Sequence, residues 1–308
     1  FAELGHAVTV ITPFHPKLKP STFRGLAVKP FRYIFPTGFH LLGYSRSLIN
    51  NQTFPWYVPL LAPLFFLFAI LTLYREVKKT RYDFISCHWI VPNGAIAALI
   101  SKLTAIPLLI TLPGSDVYVA KMNPVFRLFA GLAAKQALAV VSNSPLLLDD
   151  LETPGSVIPY GVPINHGRRI RTGKLVIAAA GRRVANKNFE LLTSIEPTAQ
   201  IISGETITQF RKKLLGVDIL CAPSIRDSSG NLDDANVSVL EAMAAGCAVI
   251  VSDLPGYQGI IRNNYNGLLV PPNNKKAFLG ALVTLKKNPA FRRRLARRAR
   301  QTIKAHFT

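Results

Sequence analysis

The stretch NLDDANVSVLEAMAAGCAVIVSD, residues 231–253, decides how this sequence is read. Asn236 is a good N-cap, because its side-chain oxygen can take one of the unpaired amides that open a helix. VSVLEAMAA is helical in composition, and Gly246 is the expected residue just past the helix end. CAVIVSD follows at once as an apolar, β-branched strand. Loop, helix and strand in this order place the loop and helix start at the carboxyl end of an open sheet, where α/β proteins bind ligands. Asp233 stands in that loop and Glu241 in the second helical turn. Carboxylates accept hydrogen bonds from hydroxyls. The amides of residues 235–238, those of Asn236 and Val237 among them, would meet a phosphate with the help of the helix dipole. A ligand with phosphates in the middle and hydroxyl-rich rings at both ends, a nucleotide sugar, would use all of these groups. The plainer alternative is that Glu241 pairs with a nearby arginine and Asp233 caps a turn.

The rest of the chain repeats the alternation. Residues 7–13, 82–89, 107–117, 138–144 and 156–162 read as strands or strand-and-loop pieces, with a helix over 94–105. After the polar segment PINHGRRIRTGK come strands at 174–182, 199–204, 217–224, 247–253 and 266–272, a helix beginning near 187, and two closing helices. Continuous apolar strands separated by helices imply parallel sheets covered on both faces. The expected fold class is therefore α/β, with two Rossmann-like domains in tandem. Residues 1–162 form the first, 163–173 a linker and 174–308 the second; the last helix is left to pack on either. FAELGHAVTVITP opens as a helix tail followed by a strand, so an upstream strand is expected before it.

A second cluster lies in AAAGRRVANKN, residues 178–188. A buried strand ends at Gly181, and Arg182 and Lys187 follow before an apolar helix. Two cations at a strand's carboxyl end would neutralise a diphosphate, Arg by a bidentate contact and Lys as a point charge. They would help most as the leaving diphosphate gains charge. Taken alone, the segment also reads as a solvated basic turn.

Composition narrows the classes. The chain has 37 Lys and Arg against 16 Asp and Glu, a net charge of +21, with 49% hydrophobic residues. Such a field attracts nucleic acid, anionic membranes or phosphorylated small molecules. The arginines of FRRRLARRARQTIK do not interleave with stacking aromatics, which counts against nucleic acid as the partner. Cys87, Cys221 and Cys247 lie in apolar runs without paired or metal-like spacing, so buried free thiols in a reducing compartment are expected, and no structural zinc. WYVPLLAPLFFLFAILTLY, residues 56–74, approaches spanning length, yet Pro59 and Pro63 break its first half. With REVKK behind it, it reads as a buried or membrane-surface helix, and with the C-terminal basic run it suits docking on anionic lipid.

Together these segments resemble glycosyltransferase family 4, of the GT-B fold. GRRVANK resembles that family's G-R-x-x-x-x-K element, VDILCAPS its strand ending in Pro-Ser, and DDANVSVLE its E-x7-E element. GHAVTVIT, HWIVPNG, PLLITLPGSD and VIPYGV resemble its N-terminal half, and the order holds over nearly the whole chain. The resemblance implies a donor/acceptor cleft between the two domains. It implies a retaining hexosyltransferase-type enzyme that moves a sugar from a nucleotide-sugar donor to a lipid-linked or cell-envelope glycan acceptor. No metal or other cofactor is expected. Glu241 would bind the ribose, Asp233 the transferred sugar, and Arg182 and Lys187 the diphosphate, with Gly181, Asn236 and Val237 completing the donor site. Arg182, Lys187 and Asp233 are thus the catalytic candidates. His88, Gly114 and Asp116 fall on the acceptor side. The expected location is cytoplasmic, peripheral on the inner face of the cell membrane.

The chain departs from the pattern in places. Asp233 and Asp234 stand where Glu-Gly is usual, Pro113 replaces a histidine, and Asn188 follows Lys187. The segment between residues 187 and 217 is shorter than the family's, so a strand and a helix of the second sheet are expected to be missing. That shortening keeps a second reading open: a scaffold that binds nucleotide sugar or a membrane surface and has lost its chemistry.

Overall fold

The computed structural model describes residues 2–308 except 17, 19–24, 44–57, 165, 166, 168, 171, 172 and 227–236. The chain divides into two units, Phe1–Val157 and Ile158–Thr308.

The first unit opens with β1 (Val8–Pro13) and β2 (Leu26–Phe31), a parallel pair. Helix α1 (Ala62–Lys79) follows a short 3-10 turn at Val58–Leu61. Then come β3 (Ile85–His88), α2 (Ala95–Thr104), β4 (Leu108–Leu112), α3 (Ser115–Met122), α4 (Pro124–Gln136), β5 (Ala139–Ser142), α5 (Pro145–Asp150) and β6 (Ser156–Val157). Strands β3 to β6 pair in sequence order, all parallel. Leu108, Ile110 and Leu112 of β4 are buried on the core side, in one cluster with Ile90, Ala97 and Ala133. Full burial of one such leucine or isoleucine contributes about 1.5–3 kcal/mol. Helix α4 starts where it does because the Asn123 side chain accepts from Val125 N at 2.9 Å and Phe126 N at 3.3 Å, with Pro124 in the first turn.

The apolar stretch at 56–74 begins outside the described residues and otherwise supplies most of the 3-10 turn and α1. Pro63 falls in the first turn of α1, where a missing amide costs nothing. Phe65 and Ala69 pack against Phe31 and Tyr33, and Lys29 Nζ and Tyr82 Oη donate to the Glu76 carboxylate at 2.6 and 2.7 Å. The lysine beside it holds the Glu76 carboxyl below the usual glutamate value. Among the described residues, no helix is long and apolar enough to cross a membrane.

The second unit contains β7 (Ile177–Ala180), α6 (Phe189–Ile195), β8 (Gln200–Ile202), α7 (Ile207–Leu214), β9 (Ile219–Ala222), α8 (Val237–Ala245), β10 (Ala248–Ser252), α9 (Pro255–Gln258), β11 (Leu268–Val270), α10 (Lys275–Lys287) and α11 (Pro289–His306). Its sheet is parallel throughout, in the order β11-β10-β9-β7-β8. Every residue of β7, β9 and β10 is buried, as expected of strands covered on both faces. The two-residue strand period sorts side chains between two cores. Val249 and Val251 join the layer that contains α8 and α11, and Ala248 and Ile250 the layer that contains α10.

Helix α11 settles the arginine-rich segment. Leu295, Ala299 and Ile303 recur every four residues and are fully buried, while Arg293, Arg294, Arg297 and Arg300 are exposed. The charge run is the solvated face of a core helix that packs on α8 and β10 of its own unit. Cys87, Cys221 and Cys247 are buried free thiols, and burial pushes Cys87 up to about 12 and Cys247 to about 11. They are structural fillers rather than nucleophiles.

Candidate active site

Strand β7 ends at Ala180, and the chain turns at Gly181 with φ +136°. The Lys187 side chain lies across that glycine: a Cβ at 181 would stand 3.1 Å from Lys187 Cε. Arg182 is exposed at the turn and Lys187 is half-buried. A 3-10 turn at Ala185–Lys187 and the left-handed Asn188, φ 46°, then feed α6. The Asn186 carbonyl accepts from Ile225 N at 2.9 Å, which ties this loop to the end of β9.

One bond brings the two clusters together. Ser238, in the first turn of α8, donates its hydroxyl to the Ala180 carbonyl at 3.1 Å. The helix start and the basic loop therefore share the carboxyl end of the sheet. Val237 is the first residue of α8. At the other end, Gly246 N reaches Met243 O at 3.0 Å and Cys247 N reaches Ala242 O at 2.9 Å, the bonds of a Schellman turn closed by Gly246 at φ +79°. Asp233 and Asn236 lie outside the described residues.

Glu241 is only 1% exposed, and its carboxylate meets Arg211 of α7. Arg211 Nε donates to both oxygens at 3.0 Å and an η-nitrogen to Oε1 at 2.6 Å. The alternative that Glu241 pairs with a nearby arginine is thus realised, and a ligand hydroxyl approaching Glu241 meets a carboxylate already held. Sequence reading missed Arg211, because three cations in a row do not show which one turns inward. The helix that carries it, also not read from the sequence, opens with a capping box of Thr206 and Gln209, a T-x-x-Q signature.

Two further polar groups were missed. Asn186 Oδ1 and Asn188 Nδ2 are buried and have no hydrogen-bond partner among the described residues. Both flank Lys187, and unsatisfied buried amides are costly unless something else occupies them. Asn188 Nδ2 is a donor in want of an acceptor and Asn186 Oδ1 an acceptor in want of a donor.

In the first unit, His88 ends β3 with its side chain exposed. Gly114 opens α3 at φ +123°. Asp116 is 1% exposed and accepts from Ile90 N at 2.6 Å and Gly114 N at 3.1 Å. Its carboxylate is committed to the protein's own amides, so it fixes the loops after β3 and β4 around His88. Desolvation pushes its pKa up, against the pull of those amides.

Replacing Gly181 with Ala is expected to cost about 1–3 kcal/mol, because φ +136° is a glycine conformation and the new methyl meets the Lys187 stem. Melting temperature and turnover should fall together. An unchanged melting temperature would show that the turn adapts.

The family model described as Glycosyltransferase Family 4 matches residues 1–166, and that described as Glycosyl transferases group 1 matches residues 172–302. The chain belongs to glycosyltransferase family 4. It is similar to TuaC of Bacillus subtilis (strain 168), assigned to teichuronic acid biosynthesis as a glycosyltransferase: 24% identity over 266 residues, 73% of this chain and 67% of that protein. Among solved structures, the sucrose-phosphate synthase of Thermosynechococcus elongatus superposes with a TM-score of 0.75 at 15% identity, covering 100% of this chain and 86% of that one. Anabaena Alr3699/HepE in complex with UDP superposes with a TM-score of 0.65 at 15% identity, covering 92% and 83%. At these identities the solved structures establish the fold, GT-B, as the glycosyltransferase family requires.

Proposed function

We propose that this glycosyltransferase takes a sugar from a nucleotide-sugar donor and passes it, with retention, to a lipid-linked or cell-envelope glycan acceptor. It works peripherally on the inner face of the cell membrane. The observation that carries the donor assignment is the convergence of the basic loop and the α8 start at one sheet end, joined by Ser238 and Ala180. Arg182 and Lys187 take the diphosphate, with the first amides of α8 beside them. Glu241 takes the ribose and Asp233 the transferred sugar. This places the negative charge of the leaving group on cations and amides, without calling on a metal. Complexes of HepE with UDP and UDP-glucose support a uridine nucleotide as the first donor to test. TuaC's assignment to teichuronic acid biosynthesis supports an envelope glycan as acceptor.

One observation favours a second reading, a scaffold that binds the donor without turning it over: the Arg211 guanidinium already sits on Glu241. Thermal shift against a panel of uridine, guanosine, adenosine and cytidine diphosphate sugars tests both. A donor at about 100 times its Kd adds roughly 2.7 kcal/mol to stability and raises the melting temperature. A shift followed by sugar transfer supports the enzyme, and a shift without transfer or donor hydrolysis supports the scaffold. No shift with any nucleotide sugar overturns both.

A further inference from the structure

The first unit carries apolar side chains that its core does not use. Helices α1, α2 and α4 each bury one face: Phe65 and Ala69 on α1, Ala97 and Ile100 on α2, Ala130 and Ala133 on α4. The opposite faces are also apolar. Leu64 and Phe68 on α1, Leu99 and Leu103 on α2, and Leu128 and Leu132 on α4 are all exposed, each pair one helical turn apart. Leu128 is 62% and Leu103 59% exposed. Helix α2 packs against both α1 and α4, so the three helices that carry these rows adjoin. Single exposed leucines are ordinary, but rows on three adjacent helices form the kind of patch that marks an interaction site.

The charges of these helices select the partner. Neither α2 nor α4 contains an Asp or Glu, and the sole acid of α1, Glu76, is buried under Lys29 and Tyr82. The exposed charges on the three helices are all basic: Arg75, Lys78 and Lys79 on α1, Lys102 on α2, Arg127 and Lys135 on α4. Among the described residues, Arg127 alone of these forms a salt bridge, with Glu152, which lies outside the three helices. Leu128 and Leu132 line a shallow groove of about 300 Å3 whose rim carries Arg127 and Lys135. Apolar side chains with cations at their margin match a bilayer surface, where acyl chains lie below anionic headgroups. A second copy of the chain would set the same cations against one another. The exposed face of α11 is arginine-rich but lacks such an apolar row, and two of its arginines lie over Tyr265 and Phe291.

We propose that the outward faces of α1, α2 and α4 are the surface by which this chain docks on an anionic bilayer. The inference rests on the peripheral-membrane reading above and locates it: the first unit docks, and the arginines of α11 do not. The test is sedimentation of the full chain with phosphatidylcholine vesicles and with vesicles that also contain phosphatidylglycerol, across a salt series. The variants are L64E/F68E, L128E/L132E and, on α11, R293E/R297E. Circular dichroism and melting temperature establish that each variant is folded. The wild type is expected to prefer the anionic vesicles and to release with salt. Each double-glutamate variant on α1 or α4 should weaken binding at least about tenfold, two lost apolar contacts and two added negative charges acting together. R293E/R297E should stay within about threefold. Loss confined to R293E/R297E overturns the proposal, as does wild-type binding to neither vesicle. A wild-type dimer in sedimentation velocity that L128E/L132E makes monomeric, without vesicle binding, would also overturn it and give the face to a second copy. Donor thermal shift on the same samples separates the two readings. Vesicle binding without a donor shift sinks the transferase and leaves the docking face standing. A donor shift without vesicle binding does the reverse.

Discussion

Arg182→Ala and Lys187→Ala should each lower kcat by about 100-fold or more while changing donor affinity far less. The reason lies in when the charge appears. The diphosphate of a bound donor already carries negative charge, but breaking the sugar–oxygen bond adds more on the bridging oxygen. Groups that meet the added charge stabilise the transition state beyond the ground state. Removing one preorganised donor of that kind typically costs about 10²–10³ in kcat. The turn at Gly181 and the Lys187 stem laid across it hold the lysine in advance, so little reorganisation is needed at the moment of reaction. Arg182 is exposed whereas Lys187 is half-buried, so Lys187 should show the larger effect. Steady-state kinetics together with donor binding by calorimetry distinguishes the cases. If both variants turn over like the wild type, the diphosphate lies elsewhere. If Kd rises as much as kcat falls, the pair contributes uniform binding only.

The second large effect is on stability, and it is asymmetric. Glu241 is 1% exposed and Arg211 35% exposed, counting their side chains. Arg211→Ala leaves a carboxylate buried without a partner, which typically costs about 3–5 kcal/mol. Glu241→Gln leaves a guanidinium that is a third open to water and can turn outward, so about 1.5–3 kcal/mol is expected, the scale of one lost charged hydrogen bond. At roughly 2–4 °C per kcal/mol for a chain of this size, the arginine variant should melt well below the glutamine variant. Arg211→Met combined with Glu241→Leu should recover most of the loss, since well-packed apolar replacements of buried pairs are often neutral. Equal losses from the two single changes would show that Glu241 reaches water or another cation. Glu241→Ala should in addition weaken donor binding, by about 1.5–3 kcal/mol for a hydroxyl bonded to a charged group. That variant is read against Glu241→Gln, so that lost affinity is not confused with lost folding.

Where local chemistry and tertiary demand agree, the sequence is legible. Gly246 ends α8 and Gly181 ends β7 because both positions need positive φ, and both could be named before any coordinates. The buried strands of the second sheet are unbroken apolar runs, so β7, β9 and β10 fell within their expected ranges. Strand β2 was not seen, since Pro30 in LAVKPF argues against a ladder; among the described residues it pairs only with β1. The direction of individual side chains was the least legible feature. Asp116 and Glu241 stand in motifs that suggest ligand contact, and both carboxylates are buried on protein donors. A residue's motif fixes its place on an element, but its partner comes from another element, 26 residues away for Asp116 and 30 for Glu241. The outward leucines of α2 and α4 were illegible for a related reason: a helix apolar on two sides reads from sequence as simply buried.

Strand β7 also limits how this molecule can drift. Its last three residues, Ala178, Ala179 and Ala180, are at most 4% exposed and alternate between the two cores. Methyl groups there let the helical layers close on the sheet from both sides, directly beneath the Ser238 bond. A larger side chain at Ala178 or Ala180 would press on the α8 layer and one at Ala179 on the α10 layer, and a polar one would be buried at a cost unless it found a partner. Three small apolar residues of the second unit therefore leave little room for change. Their smallness sets the spacing between the start of α8 and the basic loop.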